Sequence, residues 1–96
     1  MNLGDKVEWT SQAGGRTKKK TGVIVAIVPA RNRHRLTQCI PGLNMSQVYS
    51  KYNTGPIDGG GLSRNHESYL VEVKTGKTEA AKKSLYWPRV SGLKDA

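Results

Sequence analysis

The sequence predicts a small, mainly β domain of five short antiparallel strands, with one long insertion between the second and third. Three observations lead there. Apolar side chains alternate with polar ones in Gly4 to Thr10 and again in Glu67 to Lys74, the period of half-buried strands. Val23 to Val28 is β-branched almost throughout and is bounded by Gly22 and Pro29. Residues 29–65 keep no such period and hold three of the four prolines and five of the eleven glycines. A chain of 96 residues makes one domain, because shorter cores do not stand alone in pairs.

The elements follow in order. In the first strand Val7 and Trp9 share one face, and Lys6 and Glu8 the other. Ser11-Gln12-Ala13-Gly14-Gly15 reads as a breaker cluster, and the basic run Arg16 to Lys20 continues that loop or leads into the next strand. In the second strand both faces are apolar: Val23, Val25 and Ile27 on one, Ile24, Ala26 and Val28 on the other. A strand of a small antiparallel sheet normally keeps one face wet, so the second face needs a cover. Leu36, Ile40, Leu43, Met45 and Val48 are the expected cover, with a dimer contact as the alternative. Within the insertion, residues 44–52 fit one short helix capped by Asn44 or Ser46, with Met45, Val48, Tyr49 and Tyr52 on one side. Gly55 to Gly61 is loop. An insertion of this length is expected to be functional or mobile, and dispensable for folding. In the third strand Tyr69, Val71 and Val73 point in, and Glu72 and Lys74 point out. Thr75-Gly76-Lys77 is a hairpin turn, Ser84 to Trp87 a strand, and a turn at Pro88 precedes a last short strand near Ser91 to Lys94.

Charge is the second theme. Sixteen Lys and Arg face seven Asp and Glu, a net charge of +9. Between Glu8 and Asp58 there is no acidic residue, while Arg16, Lys18, Lys19, Lys20, Arg31, Arg33, Arg35 and Lys51 all lie there. Solubility alone does not require the acids to be excluded; a concentrated field of one sign attracts polyanions. The two clusters, 16–20 and 31–35, flank the second strand and so belong at its opposite ends. Tyr49 and Tyr52, beside Lys51, are candidate stacking platforms for unpaired bases, with core packing of the short helix as the competing role.

The strand pattern, the basic first loop and the one-turn break before the last strand together resemble the small SH3-like barrel. Gly4-Asp5-Lys6-Val7-Glu8-Trp9, followed by Gly22-Val23-Ile24-Val25-Ala26-Ile27, looks like the start of Tudor-like and KOW-type barrels. The nearest resemblance is to the small bacterial hypervirulence-associated Tudor-like proteins. Their Gly-Asp-x-Val-x-Trp opening is similar to residues 4–9, and their Tyr-x-Val-Glu and Gly-Lys segments to Tyr69-Leu70-Val71-Glu72 and Gly76-Lys77. The resemblance covers residues 4–28 and 67–94, leaving out the middle segment and departing at Leu85 to Val90. It implies one SH3-like domain over residues 1–96, with 29–65 as a basic irregular insertion, and carries no activity with it.

Catalytic readings are weak. His34 and Cys39 share the irregular segment, and Arg31, Arg33 and Arg35 are suited to lowering a thiol pKa. No acidic residue of the window is present to orient the imidazole, and a lone Cys beside Ile40 is usually a small core residue. One cysteine and two histidines, His34 and His66, give no metal-ligand spacing and no disulfide. Gly76-Lys77-Thr78 lacks the earlier glycine of a phosphate-binding loop, because that position is Val71. Gly59-Gly60-Gly61 has no lysine after it. Trp9, Tyr69, Tyr86 and Trp87 offer an aromatic cage for a methylated cation, which a positive surface would repel.

The expectation is therefore a module that binds nucleic acid, DNA or RNA, by its phosphate backbone with little sequence specificity. The expected binding residues are Arg16, Lys18, Lys19, Lys20, Arg31, Arg33, Arg35, Tyr49, Lys51 and Tyr52. No catalytic residue, metal or cofactor is expected. The alternative is a protein-binding inhibitor or adaptor of phage or mobile-element origin, docking on an acidic surface of a host defence nucleoprotein in the manner of an anti-CRISPR protein. The longest apolar run is far short of the ~20 residues that span a bilayer, and Met1 to Asp5 runs straight into strand. A cytoplasmic monomer or homodimer without membrane contact is expected.

Overall fold

The computed structural model describes residues 2–13, 15–33, 35–54, 57, 64–74 and 83–96. Among these residues six strands form one sheet: β1 (Lys6–Ala13), β2 (Arg16–Val28), β3 (Tyr52–Asn53), β4 (Ser68–Val73), β5 (Lys83–Tyr86) and β6 (Lys94–Asp95). The helix α1 is Met45–Lys51, and 3-10 turns stand at Leu36–Gln38 and Val90–Gly92. The strand order is β3-β5-β4-β2-β1-β6. Every pairing is antiparallel except β3 beside β5, which is parallel. The expected five-stranded antiparallel barrel is thus corrected to an open, mixed sheet of six. The sixth strand is Tyr52–Asn53, which the returning insertion lays against Lys83–Ser84.

The first loop is also corrected. β1 and β2 stay in continuous register from Lys6 opposite Val23 to Ala13 opposite Arg16. Ser11–Ala13, expected as a breaker cluster, are strand, and of the two readings of Arg16–Lys20, rest of a loop or entry to the next strand, the second is the one observed. Between the paired ends of the two strands Gly15 sits at φ 79°, the left-handed backbone that tight hairpin turns need.

Two features curl this sheet. Gly22 is buried where β4 crosses close by, and a Cβ there would run into the Glu72 carbonyl oxygen and the Val71 side chain. Farther along β2, pairing passes from Ile24–Val71 to Ala26–Leu70, so Val25 is the extra residue of a bulge. The curl brings Trp9 of β1 to Tyr86 of β5, ring centroids 6.0 Å apart, although β2 and β4 separate their strands in the sheet.

The bulge also divides β2 between two cores. Ile24 and Ile27 join Val7, Trp9, Tyr69, Val71, Val73, Tyr86, Val90 and Leu93 on the concave side. Val25, Ala26 and Val28 join Leu70 and Leu85 on the other. That second side is covered from the insertion by Leu36, Ile40, Leu43 and Val48, as expected, and additionally by Tyr52 and Ile57. Met45 is half-buried but outside this cluster. The helix begins at a reciprocal cap: Asn44 Oδ1 accepts from the Gln47 N–H, and Gln47 Oε1 from the Asn44 N–H, both at 2.9 Å. At the other end the expected last strand is shortened. Val90–Gly92 makes a 3-10 turn, Leu93 drops into the concave core, and only Lys94–Asp95 pairs with β1. The predicted turn Thr75–Lys77 and the glycine runs at 55 and 59–61 lie outside the described residues.

Candidate nucleic-acid interface

The expected binding residues fall into three groups with different fates. In β2, Lys18 is exposed. Lys19 is spent: its Nζ lies 2.8 Å from Glu8 Oε2 on the neighbouring strand. Lys20 stands opposite Trp9, and its Nζ lies 4.1 Å from the centre of the Tyr86 ring, a cation–π contact. Adjacent residues of a strand project to opposite faces, so a run that looks like one cluster in sequence is divided between two surfaces. Arg16 opens β2 opposite Ala13. The same geometry settles the aromatic cage. Tyr86 is capped by the chain's own lysine, Trp9 and Tyr69 are buried, and Trp87 packs on the other side of the sheet.

The second group follows α1. Tyr49 is 43% exposed, whereas Tyr52 is 3% exposed and is corrected from stacking platform to core residue. Its hydroxyl donates to Glu72 Oε2 at 2.8 Å, and Lys83 Nζ lies 2.6 Å from Glu72 Oε1. Lys51 Nζ sits 5.4 Å from the Tyr52 ring centre. Glu72 was expected to face water; the insertion covers it instead. Burial raises the Glu72 carboxyl, but hydrogen bonds from Lys83 and Tyr52 and the charges of Lys83 and Lys51 outweigh it and hold the group below the usual range. Burial, then the Glu72 carboxylate, pushes the Tyr52 phenol well above its ordinary value. A carboxyl depressed by folding adds stability above its unfolded pKa and loses it as pH falls through the folded one. Acid urea titrations should therefore show stability falling from about pH 4 downward. Glu72→Gln should flatten that decline and cost about 1–2 kcal/mol at pH 7. An unchanged acid limb would refute the assignment.

The third group holds the arginines at the C-terminal end of β2. Arg31, Arg33 and Arg35 are exposed. Arg31 adopts φ 56°, unusual for a side chain of this size, and its N–H donates to the Arg64 carbonyl at 2.7 Å. Arg64 is brought here by the approach to β4. Its guanidinium lies over the Trp87 ring at 3.8 Å and donates to the carbonyls of Pro88 and Trp87 at 2.8 and 2.9 Å. Trp87 is itself pinned, its indole N–H donating to the buried Ser68 hydroxyl at 2.8 Å. Arg64, His66, Arg89, Val90 and Ser91 line a cleft of about 270 Å³. Burial, and after it the charge of Arg89, lowers the Arg64 guanidinium below its ordinary pKa.

Arg64, His66 and Arg89 escape a reading from sequence. They lie outside the acid-free window, and only the antiparallel β4–β5 pairing brings the residues before β4 near those after β5. No local pattern marks them.

The other chemistry is accounted for quickly. Burial pushes the Cys39 thiol up, although a contact from Asn32 Nδ2 at 3.6 Å pulls the other way, so sulfur is held as a protonated packing group. His34 lies outside the described residues. Among the described residues no cluster of His, Cys, Asp and Glu is suited to a metal ion, and no helix is long and apolar enough to cross a membrane. Comparison with protein-family models, curated proteins and solved structures gives no match.

Proposed function

We propose that this chain is a nucleic-acid-binding module that grips the phosphate backbone with little base readout. One observation carries the reading: at one end of the sheet Arg64 and Arg89 line one cleft, and the Arg31 backbone is tied to that of Arg64. Arg31 comes from the end of β2, Arg64 from before β4 and Arg89 from after β5, and none of them has a carboxylate partner among the described residues. The nearby carboxylate, Glu67, accepts from the Tyr69 hydroxyl at 3.0 Å. Gathering like charges costs Coulomb energy, which a polyanion offsets. Arg33 and Arg35 extend the field on exposed sites, Lys18 is exposed toward the other end of β2, and Tyr49 is an exposed aromatic on α1. SH3-like, Tudor-like kinship is part of the proposal, on the strength of the opening strand.

The test is a salt series of binding to single- and double-stranded DNA and RNA. The logarithm of the binding constant should fall with the logarithm of salt by about 0.9 per duplex phosphate contacted. Reversing Arg31, Arg33 and Arg35 to glutamate should make that slope shallower by roughly 2–3 and weaken every sequence alike. Lys19→Glu should change much less than Lys18→Glu, because Lys19 is already paired. Equal binding to polyglutamate and DNA would reject the reading and favour an acidic protein surface as the partner.

A further inference from the structure

We infer that the cleft between Arg64, His66, Arg89 and Ser91 is a discrete phosphate-binding site that takes one phosphate monoester. It goes beyond backbone gripping, because it selects a compact dianion where the rest of the basic surface offers only charge.

The site is built rather than incidental. Arg64 is fixed on three sides, by the Trp87 ring and by two carbonyl oxygens. Those two bonds use one N–H on each terminal nitrogen, leaving three of the five guanidinium N–H donors. An arginine immobilised in this way has lost its rotamer entropy before any ligand arrives. Arg89 is exposed and brings a second fork to the same cleft, and Ser91 adds a hydroxyl. His66 has its Nδ1 3.1 Å from the Glu67 carbonyl, which leaves Nε2 for a ligand.

Charge narrows the occupant. A volume of about 270 Å³ has room for one phosphate with its first waters. Two guanidiniums side by side without a carboxylate between them match a charge of about −2, which a monoester carries near neutral pH. Its tetrahedral oxygens also accept from several directions at once, whereas a carboxylate offers a single plane.

The test uses the full chain and inorganic phosphate, so it is read apart from nucleic-acid affinity. In an amide NMR titration at constant ionic strength, signals of His66, Arg89 and Ser91 should shift and saturate, with a dissociation constant on the order of 1 mM. Arg89→Ala, which removes an exposed side chain that holds no hydrogen bond or ion pair among the described residues, should weaken binding roughly tenfold with the rest of the spectrum intact. Lys18→Ala should leave it unchanged. Shifts that never saturate, shifts spread equally over Lys18 and Arg33, equal binding of acetate, or an indifferent Arg89→Ala would each overturn the site. A 5′-phosphorylated oligonucleotide and its 5′-hydroxyl twin then separate the sources. Displacement of phosphate by the phosphorylated form alone identifies a strand end, and saturable phosphate binding that neither displaces identifies free phosphate; both uphold the site.

Discussion

Replacing residues 36–54 with a short glycine–serine linker should abolish cooperative folding, not merely binding. The segment supplies Ile40, Val48 and Tyr52, all buried against Ala26, Val28, Leu70 and Leu85. Burying each such side chain contributes about 1.5–3 kcal/mol, so their loss approaches the ~5–15 kcal/mol by which whole domains are stable. The deletion also removes β3 from the sheet margin and takes the Tyr52 hydroxyl from Glu72. The expected product retains some strand signal in far-ultraviolet dichroism, binds a hydrophobic dye and melts without a sharp transition. A cooperative urea transition close to that of the full chain would show that the segment is an accessory after all. Val48→Ala is the milder form, with an expected cost of about 2 kcal/mol and an unchanged fold.

That outcome bears on what the residues reveal by themselves. The apolar second face of Val23–Val28 was legible, and so were the side chains that cover it, because hydrophobic surface has to be matched. What could not be read was the status of the cover. Pro, Gly and polar residues gave the segment the composition of a loop, yet four or five well-placed apolar groups suffice to make it a wall of the core. The first hairpin was hidden for a related reason. Gly, Lys and the other polar residues of this stretch have weak strand preference that an isolated Thr10 or Thr17 does not outweigh, and only pairing across the turn at Gly15 makes Arg16–Lys20 a strand. Tyr49 and Tyr52 look alike in the chain; one is exposed and one is buried because Tyr52 has already left the helix for β3. The cleft was the least legible feature, since its arginines are joined by topology alone.

The second large effect is expected at Trp87. Its ring packs with the covered core, its N–H satisfies the buried Ser68 hydroxyl, and Arg64 lies on its face. Trp87→Ala removes all three at once and should cost about 3–5 kcal/mol. Trp87→Phe keeps a ring under Arg64 but takes the donor from Ser68, so the cost should fall to about 1–2 kcal/mol. Urea unfolding followed by dichroism measures both. Phosphate binding supplies the contrast: the phenylalanine variant should retain it within a few-fold, while any folded fraction of the alanine variant should lose it. Equal stability losses in the two variants would mean that the indole N–H, not the ring, holds this corner together.

The two margins of the sheet are strands of only two residues, Tyr52–Asn53 and Lys94–Asp95. A sheet edge recruits another chain by offering a row of unmet backbone donors and acceptors, and rows this brief template almost nothing. The margin at β6 also carries Lys94 and Asp95, whose charges must stay hydrated. Strand addition is therefore disfavoured at these two margins. The open edge lies elsewhere: β6 covers only Val7 and Glu8 of β1, so the hairpin from Trp9–Ala13 to Arg16–Lys20 has no outer strand on either side among the described residues, and the lysines along it are the feature that discourages a second copy from adding there.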